Sequence, residues 1–196
     1  GCQRHLDCHS LTYKDIYSLT KMDKMLSDSD ITSIIKKLNP RCRTVVYTYP
    51  ELIKFKTLNQ MIPSNPSKKF SNWCVILLYP WTTEVSNVGH WTCLTGKYNT
   101  KEITFFDSYG QEIDEVVLAA HDHKLTRLLL KHKGKIFYNE YPLQALGENI
   151  NTCGRWIGLW GGKFPKNTVD SFHNKIKTMS IETGLSPDQL AVIMTS

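Results

Sequence analysis

The spacing of apolar residues predicts two long amphipathic helices, one near each end of the chain. In the first helix, apolar residues recur at intervals of three and four: Ile31, Ile34, Ile35 and Leu38. Ser27 precedes this run as a helix cap, and Pro40 bars its continuation. The second helix covers Val169–Thr183 and stops at Gly184, after which Pro187 opens a short last helix.

Between these helices, runs of β-branched and aromatic residues predict a sheet. The five candidate strands are Arg43–Tyr49, Trp73–Tyr79, Trp91–Thr95, Glu102–Phe106 and Lys135–Tyr141. Two further segments have the character of helices: Pro50–Met61, and Gln111–Lys133 with an interruption near His121–His123. We therefore expect an α+β domain in which a central mixed, mostly antiparallel sheet is flanked by helices.

Length and composition are those of a single soluble domain. The chain has 196 residues, of which 41% are hydrophobic and 21% charged. We expect a flexible N-terminus at residues 1–10 and one domain over residues 11–196. The longest apolar run, Val75–Tyr79, is too short to cross a membrane, and the N-terminus lacks the pattern of a signal peptide. The six cysteines are irregularly spaced, which predicts free thiols in a reducing compartment.

Two features of the composition point only weakly to a ligand. Four residues of zinc-ligand type crowd the N-terminus: Cys2, His5, Cys8 and His9. A site confined to so short a segment would organise almost no structure, so we predict no metal. Residues 1–69 hold twelve Lys and Arg against six Asp and Glu, whereas residues 70–196 hold twelve of each, so the net charge of +6 comes from the first third. Such a surface suits nucleic acid or an acidic partner, and equally a solvated lysine-rich face.

Cys153 is the first candidate for chemistry. It stands between a polar turn and the apolar run Trp156–Trp160, which places it at the N-terminus of a buried helix. The free N–H groups and the positive end of the helix dipole favour a thiolate there. Gly154 would let a substrate backbone come close. Taken alone, such a cysteine is more often an inert core residue.

His90 and Asp107 supply what a cysteine nucleophile needs. His90 begins one predicted strand and Asp107 follows the end of the next, so an antiparallel hairpin would bring both to one edge of the sheet. Their separation of seventeen residues fits two strands and a turn. A carboxylate that holds one ring nitrogen would fix the tautomer that faces the thiol.

Four motifs resemble the adenain-like and Ulp-type cysteine proteases, in the same chain order. They are Leu26–Ile31, Gly89-His90-Trp91, Phe106-Asp107-Ser108-Tyr109-Gly110 and Thr152-Cys153-Gly154. The resemblance covers nearly the whole domain. It implies the papain-like, adenain-like fold, with the nucleophile at a helix N-terminus.

The resemblance also implies roles. Cys153 would be the nucleophile, His90 the general base and then acid, and Asp107 the group that orients His90. Gln144 would complete the oxyanion hole with the backbone N–H of Cys153. It lies nine residues before Cys153, a longer gap than the family usually shows, so an asparagine of the intervening segment is an alternative donor: Asn149 or Asn151.

Substrate contacts are expected from the same motifs. Trp91 would shield His90 or roof a narrow cleft, with Gly89 and Gly154 beside it. Ulp-type proteases that remove ubiquitin-like proteins close a second tryptophan over the substrate, and Met25 stands at that position here. The compact chain and its acid motif look more like the maturation proteases of adenovirus-like viruses, virophages, Polintons and large DNA viruses.

We therefore expect a viral cysteine endopeptidase that cuts capsid or core precursors at glycine-containing sites. It would act as a monomer, in the virion and in the cytoplasm or nucleus of the host cell, without a membrane partner. The chemistry would need no cofactor, although DNA or an activating peptide could assist. The alternatives are a deubiquitinase or SUMO-type deconjugating protease, an acyltransferase of the same thioester chemistry, and a catalytically silent, DNA-binding capsid module.

DNA is a partner that the resemblance suggests, because adenovirus proteases use it as a track. The candidate phosphate contacts are the cations of the basic first third: Lys36, Lys37, Arg41, Arg43, Lys54, Lys56, Lys68 and Lys69.

Overall fold

A five-stranded sheet forms the centre of the molecule. The structure is a computed structural model that describes residues 11–81, 89–114 and 123–196. Within these ranges the strands are β1 (Cys42–Thr48), β2 (Asn72–Pro80), β3 (Gly89–Lys97), β4 (Ile103–Phe106) and β5 (Ile136–Tyr138). They lie side by side in chain order. All five predicted strands are confirmed, and the proposed flexible segment at residues 1–10 lies outside the described residues.

The sheet is mixed, as expected. Strand β2 pairs antiparallel with β3, and β3 pairs antiparallel with β4. The two outer pairs, β1 with β2 and β4 with β5, are parallel. In the central hairpin Cys93 lies opposite Phe106, which brings the start of β3 and the end of β4 to the same edge of the sheet.

Six α-helices surround the sheet within the described residues. They are α1 (Tyr13–Ser18), α2 (Asp28–Leu38), α3 (Lys124–Leu130), α4 (Cys153–Lys163), α5 (Val169–Thr183) and α6 (Pro187–Met194). The ends of α2 and α5 are where the sequence predicts them, because capping boxes at Ser27 and Thr168 begin these helices and Gly184, with a φ of +72°, ends α5. Helix α1 was not predicted.

Two helix predictions need correction. Pro50–Met61 is not an α-helix but contains two 3-10 helices, Tyr49–Lys54 and Leu58–Gln60. Its buried residues, Tyr49, Leu52, Leu58 and Met61, are separated by multiples of three, which is the period of a 3-10 helix. In the segment predicted as Gln111–Lys133, the described helix is α3, residues 111–114 are not helical, and residues 115–122 lie outside the described residues.

The two faces of the sheet carry separate apolar cores. Alternate residues of β2 point to opposite faces, so Ile76 and Leu78 join one core while Val75 and Leu77 join the other. Helix α4 lies within the first core, where the side chains of Trp156 and Trp160 are fully buried. It packs so closely on α2 that a Cβ atom at Gly158 would lie 2.8 Å from Ile34. This packing holds the N-terminus of α4 in place.

Four cysteines in the described part of the chain are buried free thiols: Cys42, Cys74, Cys93 and Cys153. Cys74 and Cys93 lie in the interior of the sheet, in β2 and β3. No helix in the described ranges has both the length and the apolar character needed to span a membrane.

Candidate active site

The hairpin β3–β4 brings His90 and Asp107 together. His90 is the second residue of β3, and Asp107 directly follows β4. The distance between His90 Nε2 and Asp107 Oδ1 is 2.6 Å, and both side chains are buried. The seventeen-residue spacing therefore produces the contact that the sequence predicts.

The carboxylate of Asp107 is held by backbone donors. Its Oδ1 also accepts from the Tyr109 N–H at 3.1 Å, and its Oδ2 accepts from the Gln111 N–H at 3.3 Å. Between these donors Gly110 has a φ of +70°, a conformation that favours glycine. The Tyr109 ring stacks on the imidazole of His90 with ring centroids 4.7 Å apart. The turn after β4 thus fixes both the acid and one face of the histidine ring.

Cys153 is the first residue of α4 and lines the same small cavity as His90. Because Nε2 of His90 is engaged by Asp107, Nδ1 is the ring nitrogen that remains for the thiol. Burial lowers the pKa of His90, but hydrogen bonds to Asp107 and Cys153 and the negative charges of both raise it more, to about 9 from an ordinary value of 6.5. The surroundings of His90 therefore favour its protonated, imidazolium form.

Gln144 lies beside Cys153 despite the long gap in sequence. A turn closed by the Ile150 N–H and the Gly147 carbonyl, 3.2 Å apart, takes up the extra residues. The amide oxygen of Gln144 accepts from Ser108 Oγ at 2.7 Å, which aims its Nε2 away from that contact. Nε2 donates to the Tyr109 hydroxyl and the Ile150 carbonyl at 3.2 and 3.3 Å.

Of the two alternative oxyanion donors, only Asn151 reaches the cavity. Its Nδ2 donates to the Asp23 carbonyl at 2.7 Å. Asn149 is exposed and does not line the cavity. Gln144 is the more deeply buried of the two amides that line it.

Asp188 is a buried residue that sequence reasoning missed. It lies in α6, and its Oδ1 accepts from Thr152 Oγ1 at 2.6 Å and from Trp156 Nε1 at 3.0 Å. Its Oδ2 accepts from the Ala145 N–H at 2.8 Å. One carboxylate therefore ties the residue before Cys153 to the residue after Gln144. Its partners lie 32 to 43 residues away in the chain, so no local motif could have found it.

These side chains surround a small cavity of about 150 Å³. Its lining residues are Met25, Trp81, Gly89, His90, Tyr109, Gln144, Asn151 and Cys153. Trp81 was also missed, and its side chain is 55% exposed at the cavity mouth. Trp81 directly follows β2, whose last residue, Pro80, pairs with Gly89 at the start of β3. This position was the available signal. Gly89 lines the cavity as predicted, and a Cβ atom there would lie 2.0 Å from the Tyr79 carbonyl oxygen.

Two predicted substrate contacts are wrong. Trp91 does not roof the cleft, because strand alternation turns it to the face opposite His90, where it is 4% exposed and donates to the Leu26 carbonyl at 3.1 Å. Gly154 does not face the cavity either. A Cβ atom there would lie 3.1 Å from both Leu26 and Ile31, so this glycine serves the packing of α4 on α2.

The predicted phosphate contacts lie away from the cavity. Arg43 and Lys69 both pack on the ring of Phe70, at 5.3 and 5.9 Å from its centroid. Lys54 pairs with Glu51 at 3.4 Å. DNA binding by these residues, and by the other candidate cations in the first third of the chain, stays a prediction. The described ranges contain no cluster of three or more potential metal ligands, and the N-terminal Cys and His residues lie outside them.

Comparisons with known proteins agree with this architecture. No protein family model matches the chain. The chain is 28% identical over 182 residues to the uncharacterized protein V9 of Sputnik virophage, covering 87% of this chain and 93% of that protein. The ASFV pS273R protease has a similar structure with a TM-score of 0.51 at 11% identity, covering 87% of this chain and 66% of that chain, just under two thirds of its length.

A yeast protease is also similar. The C-terminal Ulp1 protease domain, solved in complex with the SUMO ortholog Smt3, has a TM-score of 0.45 and 14% identity, covering 92% of this chain and 81% of that chain. The ASFV pS273R protease confirms, at the level of the fold, the resemblance that the four motifs indicate. The chain has the fold of that viral protease, with a cysteine, a histidine and an aspartate assembled at the edge of its sheet.

Proposed function

We propose that the chain is a viral cysteine endopeptidase with Cys153, His90 and Asp107 as its triad. The observation that carries the proposal is the contact of 2.6 Å between His90 and Asp107 beside a cysteine at a helix N-terminus. The raised pKa of His90 supports a thiolate–imidazolium pair at neutral pH.

The proposed reaction proceeds through a thioester. The Cys153 thiolate attacks the carbonyl carbon of the scissile peptide bond, and the resulting oxyanion is bound by the Cys153 backbone N–H and Gln144 Nε2. As the first residue of α4, Cys153 has a backbone N–H without an intrahelical acceptor. His90 gives its proton to the leaving amine as the C–N bond breaks. It then takes a proton from the water that hydrolyses the thioester, and the Cys153 thiolate leaves.

Gln144 must change one hydrogen bond to take part. Its Nε2 has two protons, which are directed at Tyr109 and Ile150 in the free protein. Binding of the oxyanion would replace one of these contacts. Neither a metal nor an organic cofactor is required, because nucleophile, proton donor and oxyanion donors all come from the chain.

Several observations support small residues at the scissile bond. The cavity has a volume of only about 150 Å³, and Met25 and Trp81 border it on the substrate side of Cys153. A glycine beside the scissile bond would bring the peptide backbone close to the thiolate without a side chain to accommodate. The similarity to proteins of two viruses supports structural precursors in the virion or the infected cell as substrates.

The test is a set of matched peptides that differ only in the residues flanking one bond, glycine against alanine or leucine. Ubiquitin and SUMO vinyl sulfones are added as probes of deconjugase activity. We expect cleavage at internal glycine sites by the native protein, none by Cys153→Ala, and no labelling by either probe. Labelling by a ubiquitin or SUMO probe without peptide cleavage would instead support the deconjugating alternative.

A further inference from the structure

A second cavity lies on the other side of the nucleophile helix from the catalytic cavity. It has a volume of about 450 Å³ and is lined mainly by α1, the segment after it, α2, and the end of α6. The lining residues that carry charge are Lys14, Lys21, Lys24, Asp30 and Arg155. Among these side chains, four cations therefore face one carboxylate.

Arg155 makes this cavity more than a group of surface lysines. It is only 4% exposed, and its Nε has no hydrogen-bond partner. One other guanidinium nitrogen donates to Thr195 Oγ1 at 2.9 Å. A buried cationic donor without an acceptor is costly, and Arg155 stands in the first turn of α4, where the helix dipole adds a further unfavourable term for positive charge.

The other charged groups do not supply what Arg155 lacks. Asp30 is committed to the cap of α2, where its Oδ2 accepts from the Ser27 N–H at 3.0 Å. Burial lowers the pKa of Arg155, and the charge of Asp30 opposes that effect only in part. Lys21 lies over the Tyr17 ring, with its Nζ 5.3 Å from the ring centroid. The cavity thus combines a buried unpaired donor with exposed cations.

We propose that this cavity binds a compact polyphosphate anion, with a phosphate group on Arg155 and further phosphate oxygens on the three lysines. Guanidinium groups bind phosphate oxygens through directed N–H donors, and lysines add charge without a fixed geometry. The excess of cationic side chains matches several phosphate groups better than one carboxylate. The volume also exceeds the need of a single phosphate.

The site lies next to the catalytic cavity but is separate from it. Lys24 and Leu26 line the second cavity, where we place the anion. Met25, which lies between them in the chain, lines the catalytic cavity. On α4, Arg155 lines the proposed anion site and Cys153 lines the catalytic cavity. The proposal does not depend on proteolysis, since an anion could bind here in a protein without activity.

The test is binding of inorganic tripolyphosphate to the full chain by calorimetry at physiological ionic strength, together with the rise in melting temperature that a ligand of the folded state causes. The cavity variant is Lys14→Ala, Lys21→Ala and Lys24→Ala combined. The control removes the same charge from three exposed lysines outside the cavity: Lys101→Ala, Lys133→Ala and Lys135→Ala.

We expect the native protein to bind, the cavity variant to bind about tenfold more weakly, and the control to stay within about twofold of the native protein. Arg155→Met should weaken binding further. If that variant does not fold, the two lysine variants decide the result alone. No binding by the native protein, or equal weakening in both lysine variants, would overturn the proposal.

A short duplex DNA serves as a second probe to identify the source of the phosphate. Displacement of DNA by tripolyphosphate, and its loss in the cavity variant, would assign the site to a nucleic-acid backbone. DNA binding that the cavity variant leaves unchanged, alongside tripolyphosphate binding that it weakens, would assign the site to a free polyphosphate.

Discussion

Two regions of the molecule hold buried thiols, and only the edge of the sheet is equipped to use one. At the centre of the sheet, a hydrogen bond to Cys93 and complete burial both raise the pKa of Cys74. At the edge of the sheet, Cys153 is nearly as buried, yet it lies beside His90 and is the first residue of a helix. Burial alone therefore does not decide the reactivity of a cysteine; the charges and donors around it do.

The sharpest way to test this difference is to remove each thiol in turn. Cys153→Ala should lower the rate of peptide cleavage by more than about a thousandfold, because the thioester forms on this thiol. The variant should remain folded with a modestly lower melting temperature, because His90 loses one charged partner. Cys74→Ala should keep its activity and lose about 1 kcal/mol of folding free energy, since it opens a small void in the core. Peptide cleavage assays and thermal unfolding of both variants measure the two effects. Cleavage retained by Cys153→Ala would contradict the assignment of Cys153 as the nucleophile.

Replacement of His90 should have the next largest effect on activity, and its effect on stability should depend on pH. His90→Ala should lower kcat by about a thousandfold or more. The raised pKa of His90 also stabilises the fold, by about 3 kcal/mol for a shift from 6.5 to about 9. That contribution is fully present below pH 6.5, where the folded and unfolded chains are both protonated, and is lost as the pH rises through about 9.

Denaturant unfolding of the native protein and of His90→Ala at several pH values measures this contribution. The difference in stability between them should shrink from neutral pH to above pH 9. NMR titration should find a lower pKa for His90 in Cys153→Ala, because one of its charged partners is gone. A stability difference that does not change with pH would contradict the charged pair.

Gln144 and Asn151 provide a third comparison, between two amides that line the same cavity. Gln144→Ala should lower kcat by about a hundredfold, as expected for the loss of one oxyanion donor. Asn151→Ala should have a smaller effect, because we assign the oxyanion contact to Gln144 and the Asn151 amide only binds the Asp23 carbonyl. Steady-state kinetics with one peptide decides between them. A larger loss in Asn151→Ala would reverse the assignment.

Asp188 should give the smallest catalytic effect, because it acts through Thr152 and Ala145. In Asp188→Asn one carboxylate oxygen is replaced by a donor, so at least one of its three contacts becomes unfavourable. We expect kcat to fall roughly tenfold with little change in KM, and stability to fall by about 1–3 kcal/mol. Asp170→Asn, an exposed change on α5, is the control. A loss of stability without any change in kcat would limit Asp188 to a structural role.

The parts that the sequence predicted well depend on local chemistry. Helix α2 begins at a capping box and ends before a proline, and α5 ends at a glycine with positive φ. The contact of His90 with Asp107 follows from the length of one hairpin. These features depend on neighbouring residues or on a single turn, so the sequence contains enough information to predict them.

The parts that it predicted poorly depend on distant neighbours. Trp91 and Gly154 are adjacent to catalytic candidates in the chain, but one faces the opposite side of the sheet and the other packs on α2. For Trp91, the alternation of side chains along a strand already argued against the prediction. Asp188 and Arg155 gain their importance from side chains that lie far away in sequence, which no pattern in one chain reveals.

The thiolate–imidazolium pair is tested by labelling of the native protein with dilute iodoacetamide from about pH 5 to about pH 9, followed by peptide mapping of the cysteines. We expect Cys153 to react at low pH, well before Cys42, Cys74 and Cys93, and His90→Ala to remove this advantage. If Cys153 reacts no faster than Cys74, or keeps its reactivity without His90, the thiolate–imidazolium pair does not exist.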